Sequence, residues 1–205
     1  MIGLLRKDIM LITKNFSPIY FIAITPPIVV SLNNPDYFLF MFSITLAFLI
    51  AIQVPTTMEL DEKVNWKKIV MSMPINTNTT VLSKYFLTLI MAIISGISVA
   101  LVSLIYTKSV NIIYIIIAII LVIMYNAVVI PVSYKFGTSK SRYFVIFFVC
   151  IPVLFSYLFK KLNINFNEHL LRIDIKILYT LLFCVGVLLI ILSIITSIKA
   201  LDKKN

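Results

Sequence analysis

The sequence predicts an all-α membrane protein, with six transmembrane helices in a single domain over residues 1–205, entered through a short interfacial helix. Three observations carry this reading. Hydrophobic residues fill 61% of the 205 positions and charged residues 13%, with a mean hydropathy of +1.07. That excludes a soluble domain, and it excludes disorder, which needs low hydrophobicity and dense charge. Roughly 20 apolar residues cross a bilayer, so six spans take about 120 positions and nearly exhaust the apolar stock. Apolar runs also alternate with short segments rich in charge or turn residues, as a chain crossing repeatedly must.

Residues 1–16 form the first element. Ile2, Leu5, Ile9, Ile12 and Phe16 recur at steps of three and four, which gathers them on one helical stripe with Lys7 and Lys14 opposite. Such a helix can lie in the head-group layer. The simpler alternative is a basic flank that orients the first span.

The six spans follow at about 17–32, 37–58, 85–106, 112–134, 143–159 and 177–198. Span one is short and holds Pro26 and Pro27, which kink or break a helix. Span five is also short and holds Pro152. With both termini in the cytoplasm, the internal segments carry 13 of the 18 Lys and Arg and the external ones 5. The positive-inside rule therefore places both termini inside. Tyr37, Tyr85, Tyr134 and Tyr143 stand at span ends and read as an interfacial belt.

The net charge of +10 fits basic internal loops and anionic head groups, and the longest clusters, Lys67-Lys68 and Lys160-Lys161, are too short for nucleic-acid binding. Cys150 and Cys184 both lie in apolar runs, so no disulfide framework is implied. The first residues interleave charge with Leu and Ile, unlike a signal peptide.

Several chemistries lack their residues. ATP hydrolysis needs a glycine-rich phosphate loop, and Gly3, Gly96, Gly137 and Gly186 build none. The chain is therefore expected to be no enzyme, with no catalytic residue, no metal and no cofactor of its own. His169, the one histidine, stands beside Glu168 in an expected external loop and reads as solvated. No Asp, Glu, Lys, Arg or His falls between the ends of the six spans, whereas ion-driven carriers keep ionisable groups there. The polar residues within spans are mild, and Gln53 and Asn126 are the candidates for a substrate path. The ordinary alternative is hydrogen bonding between or within helices.

The connection over 59–84 carries the most information. Trp66, Ile69, Val70 and Met73 follow i, i+3, i+4, i+7, giving a short helix with one apolar stripe, and Pro74 ends it. Asn76, Thr77 or Asn78 then caps a second helix running through Val81 and Lys84 into span three. The Trp66 helix can lie on the membrane or dock in a groove on a soluble partner. Glu59, Asp61 and Glu62 precede it, where carboxylates favour a helix N-terminus. They can equally pair with a partner's basic residues or with the chain's own N-terminal helix.

This order of features resembles the ABC-2-type permease family. The specific part of the likeness is Asp61-Glu62-Lys63-x-x-Trp66-x-Lys68, then Ser72-Met73-Pro74-Ile75, then Val81-Leu82-Ser83-Lys84-Tyr85 entering span three. The chain is similar to the small permeases of low-GC Gram-positive bacteria, including those of staphylococcal phenol-soluble modulin exporters. The resemblance implies an ABC-2 (type V exporter-like) architecture in a bacterial cell membrane. Two permease subunits, like or unlike, would pair among membrane lipids, each on a cytoplasmic ATP-binding cassette subunit that holds ATP and Mg. It also implies that the helix over 63–73 is a coupling helix, with Trp66, Ile69 and Met73 as anchors and Glu59, Asp61, Glu62, Lys63, Lys67, Val70 and Pro74 around them. Residues 160–176 would correspond by position to partly re-entrant external helices.

The function expected is export of amphipathic or hydrophobic cargo, such as cytolytic peptides, bacteriocins or drugs, driven by ATP hydrolysed in a separate subunit. The alternative is a non-transporting immunity or sensor protein that binds a peptide or recruits a soluble partner.

Overall fold

The computed structural model describes residues 1–15, 25, 38–71, 76–141 and 175–202. The expected spans at 143–159 and, apart from Thr25, at 17–32 lie outside the described residues, as do Phe16, Cys150, residues 160–174 with His169, and Met73 and Pro74.

Seven helices are seen among the described residues, and no strand. Helix α1 is Ile2–Lys14. Helices α2, Phe38–Ala51, and α3, Gln53–Lys63, follow one another as a 26-residue stretch, apolar through α2 and charged at the end of α3. The interruption at Ile52 has a local cause. Pro55 has no amide hydrogen, so the Ala51 carbonyl lacks its usual i+4 donor. Asn65, with φ of 51°, turns the chain through the left-handed region after α3, a conformation Asn tolerates better than most residues. Helix α4, Trp66–Met71, comes next.

Helix α5, Thr77–Thr107, begins where the sequence places it: the Asn76 Oδ1 accepts the Asn78 N–H at 3.4 Å. Its 31 residues make a rod of about 46 Å, longer than a hydrocarbon core of about 30 Å. The end that carries Lys84 therefore extends past the expected span of 85–106. Helix α6, Ile112–Phe136, matches its expected span closely, and α7, Ile175–Asp202, exceeds its own at both ends. Three stretches, Phe38–Lys63, Thr77–Thr107 and Ile112–Phe136, are long and apolar enough to cross a membrane.

Small side chains dominate the packing seam. Ala47, Ala51, Val54, Val81, Ala92, Val99, Ala118, Val122 and Val129 are almost wholly enclosed, which lets helix backbones approach closely where lipid offers no hydrophobic drive between helices. Gly96 marks the tightest point. A Cβ there would stand 2.9 Å from Ile119 Cδ1. The opposite side of α5 presents Phe86, Leu89, Ile93, Ile97, Leu101 and Leu104, the all-round apolar character of a helix in lipid.

Proline inside α6 creates a specific bond. Pro131 removes the amide hydrogen that would serve the Ala127 carbonyl. Ser193 of α7 replaces it, its hydroxyl donating to that carbonyl. With its hydrogen so used, Ser193 accepts from the Tyr85 hydroxyl at 2.5 Å, and Tyr85 accepts from Ser197 at 2.9 Å. One polar chain thus ties α5, α6 and α7 together.

Candidate functional site: a buried charge cluster beside the Trp66 helix

Four charges meet where α1, α3 and α5 converge. Lys84 Nζ lies 2.9 Å from both Asp8 oxygens, 2.9 Å from Asp61 Oδ2 and 3.2 Å from Thr57 Oγ1. Its three N–H groups are all engaged. Lys7 Nζ stands 2.5 Å from Asp61 Oδ1 and 3.1 Å from Asp8 Oδ1. Two ammoniums and two carboxylates balance, as burial demands, because an unpaired charge in a low-dielectric interior is costly. The Lys84 and Asp8 side chains are 4% and 1% exposed.

Lys7 carries the cluster outward to α4, its ammonium 4.4 Å from the Trp66 ring centroid. Glu62 reaches a different segment. Its Oε2 accepts the Thr138 N–H at 2.9 Å and also the Thr138 hydroxyl, so it caps the helical turn over 138–141. Gly137 precedes that turn with φ of 90°, and a Cβ there would meet Glu62 Oε1 at 3.1 Å. Glu59 pairs with Lys63 one turn on, at 2.9 Å.

Of the three readings open for the acids, pairing with the N-terminal helix describes Asp61. Its two oxygens are taken by Lys7 and Lys84. The residues expected to form one docking stripe on α4 divide. Val70 is buried and Ile69 is 41% exposed, with Trp66 between. Lys67 follows Trp66 on α4.

The two polar residues expected along a path are both interior. Gln53 is buried on α3. Asn126 is fully enclosed on α6, where its Nδ2 donates to the Val122 carbonyl at 3.0 Å and its Oδ1 has no hydrogen-bond partner.

Helix α1 packs by a face turned away from its apolar stripe. Leu4 and Asp8 are the buried residues, Leu5 and Ile12 are half-buried, and Ile2 and Ile9 remain exposed. The reason is Asp8 itself: its bonds to Lys84 fix the rotation of the helix, leaving the stripe's outer edge open.

The sequence reading missed Asp8 and Lys84 as a pair, placing Lys84 on the helix that enters span three but counting it only among the cytoplasmic cations. Two signals were present. Asp8 is the one acid before Asp36 in a basic stretch, and Lys84 shares the i, i+3, i+4, i+7 face of Val81, Tyr85 and Thr88 that α5 buries.

No group of His, Cys, Asp and Glu suited to a metal ion occurs among the described residues. No curated protein and no solved structure matches the chain. A family described as ABC-2 family transporter protein matches residues 3–201, nearly the full length of a chain whose described part is helical and apolar. The chain belongs to the ABC-2 family of transporter proteins, as a membrane permease component.

Proposed function

We propose that this permease exports amphipathic or hydrophobic cargo, such as cytolytic peptides, bacteriocins or drugs, using ATP hydrolysed with Mg in a separate cytoplasmic subunit. Both termini face the cytoplasm, and a second permease subunit completes the path. The observation that carries the reading is the mounting of α4. It lies within the 59–84 connection, presents Ile69 outward, and directly follows α3, whose Asp61 and Glu62 bond to α1, α5 and the 138–141 turn. A helix so held transmits force, because its supports join it to α1, α5 and the 138–141 turn.

Docking uses Trp66, Ile69 and Met73 as anchors, with Glu59, Lys63, Lys67, Val70 and Pro74 bordering them and Asp61 and Glu62 holding the segment in place. The described spans hold uncharged interiors beyond the cluster, which suits cargo with apolar surface better than inorganic ions. Gln53 and the unpaired Asn126 oxygen are the polar groups offered to cargo or ordered water when the helices part.

Replacing Trp66 and Ile69 together by Asp puts charge on the docking surface. The expected result is loss of the ATP-binding subunit on copurification with membrane insertion intact. Undiminished copurification sinks the assignment of α4.

A further inference from the structure

Asp8, Lys84, Asp61 and Lys7 join segments far apart in the chain, yet docking and cargo passage as described do not require them to be charged. Well-packed apolar residues hold helices at least as firmly as a buried ion pair does. What charge-assisted hydrogen bonds add is direction, since each donor must point at its acceptor. Here they fix the rotation of α1 against α5 and α3 at once. They also form a continuous line from Trp66: the ring sits under Lys7, Lys7 holds both carboxylates, and the carboxylates hold Lys84 near the start of α5.

We propose that Lys84, Asp8 and Asp61 are positioning residues that carry movement of the Trp66 helix into α1 and α5, so that the N-terminal helix travels with each ATP cycle. This rests on the permease and ATPase reading above. A displaced Trp66 ring draws Lys7 with it, and the paired carboxylates transfer that pull to Lys84, because separating any one charge leaves its partner buried and alone.

The test uses the double variant Asp8→Asn/Lys84→Met. It removes one charge of each sign and leaves the Lys7–Asp61 pair intact, so no buried charge is orphaned and the protein is expected to melt close to the wild type. Two labels report on it, each in a Cys150→Ser/Cys184→Ser background. The first is bimane on Gly3→Cys, an exposed position one turn before Lys7 where an added Cβ meets nothing within 4 Å. Trp66, the chain's single tryptophan, quenches it while α1 stays beside α4. The second is Ser109→Cys, exposed in the connection from α5 to α6, labelled by an impermeant maleimide in the complex with its ATP-binding subunit, with and without ATP and vanadate.

In the wild type, bimane is quenched and ATP with vanadate changes the Ser109→Cys labelling rate by about fivefold or more. The double variant is expected to keep the quenching, because Lys7 still joins α1 to Asp61 and Trp66, and to lose most of the ATP-dependent change while ATP turnover stays within about twofold; Lys84→Arg is expected to keep both signals. A retained ATP response at Ser109→Cys in the double variant overturns the proposal, since it would make the cluster merely structural, and so does lost quenching, which would show that Lys7 does not hold α1 to the Trp66 helix. A wild-type protein that captures no ATP-binding subunit overturns the ATP-driven export reading and the transmission step with it, and the quenching arm still reports the tether.

Discussion

Lys84 and Asp8 are 76 residues apart in the chain and bond in the interior, Nζ 2.9 Å from each carboxylate oxygen. Lys84→Met leaves Asp8 and Asp61 with Lys7 alone. The expected cost is about 3–5 kcal/mol, the usual penalty for stranding one member of a buried pair. Thermal unfolding in detergent measures it, and adding Asp8→Asn should recover most of the loss. If Lys84→Met alone melts like the wild type, the cluster is not buried as described.

Ser193 serves a carbonyl that Pro131 leaves without a donor. Ser193→Ala should therefore cost about 1–3 kcal/mol, the penalty of an unsatisfied buried acceptor. Pro131→Ala returns the backbone N–H, so the double variant Ser193→Ala/Pro131→Ala should lose less than Ser193→Ala does. A double-mutant cycle on unfolding midpoints checks this, and strictly additive effects would contradict it.

Gly137 holds φ of 90° beside Glu62. Gly137→Ala adds backbone strain of about 1–3 kcal/mol and crowds the Glu62 oxygen that caps Thr138. Faster proteolysis between Phe136 and Ser141 is the expected readout, and an unchanged cleavage rate would count against the cap.

Gly96 lets α5 approach α6. Gly96→Ala places its Cβ against the flexible end of Ile119 and should be tolerated. Gly96→Leu should cost about 1–3 kcal/mol by overpacking, with partial recovery from Ile119→Ala. Equal unfolding midpoints for Gly96→Ala and Gly96→Leu would show the helices are not close there.

Helix existence was legible because apolar runs report membrane spans directly, and the Asn76 cap was legible because a short polar side chain precedes a long apolar helix. The spans ended too early at the Lys84 end for a physical reason. Hydropathy marks where charge begins, whereas α3 and α5 continue as helices through charged residues that pair with one another. The same logic hid the site. Lys84 and Asp61 look solvated one at a time, and only their convergence with Asp8 makes them interior. Pro131 announced an orphan carbonyl, but nothing local to α6 could name Ser193, 66 residues away, as its donor.

Affinity purification of the protein from its native membrane in mild detergent, with assay of vanadate-sensitive ATP hydrolysis, tests the account most directly. The account predicts a stoichiometric ATP-binding subunit whose activity changes with added amphipathic peptides. Recovery of the chain with no ATPase would contradict it and favour the immunity or sensor role instead.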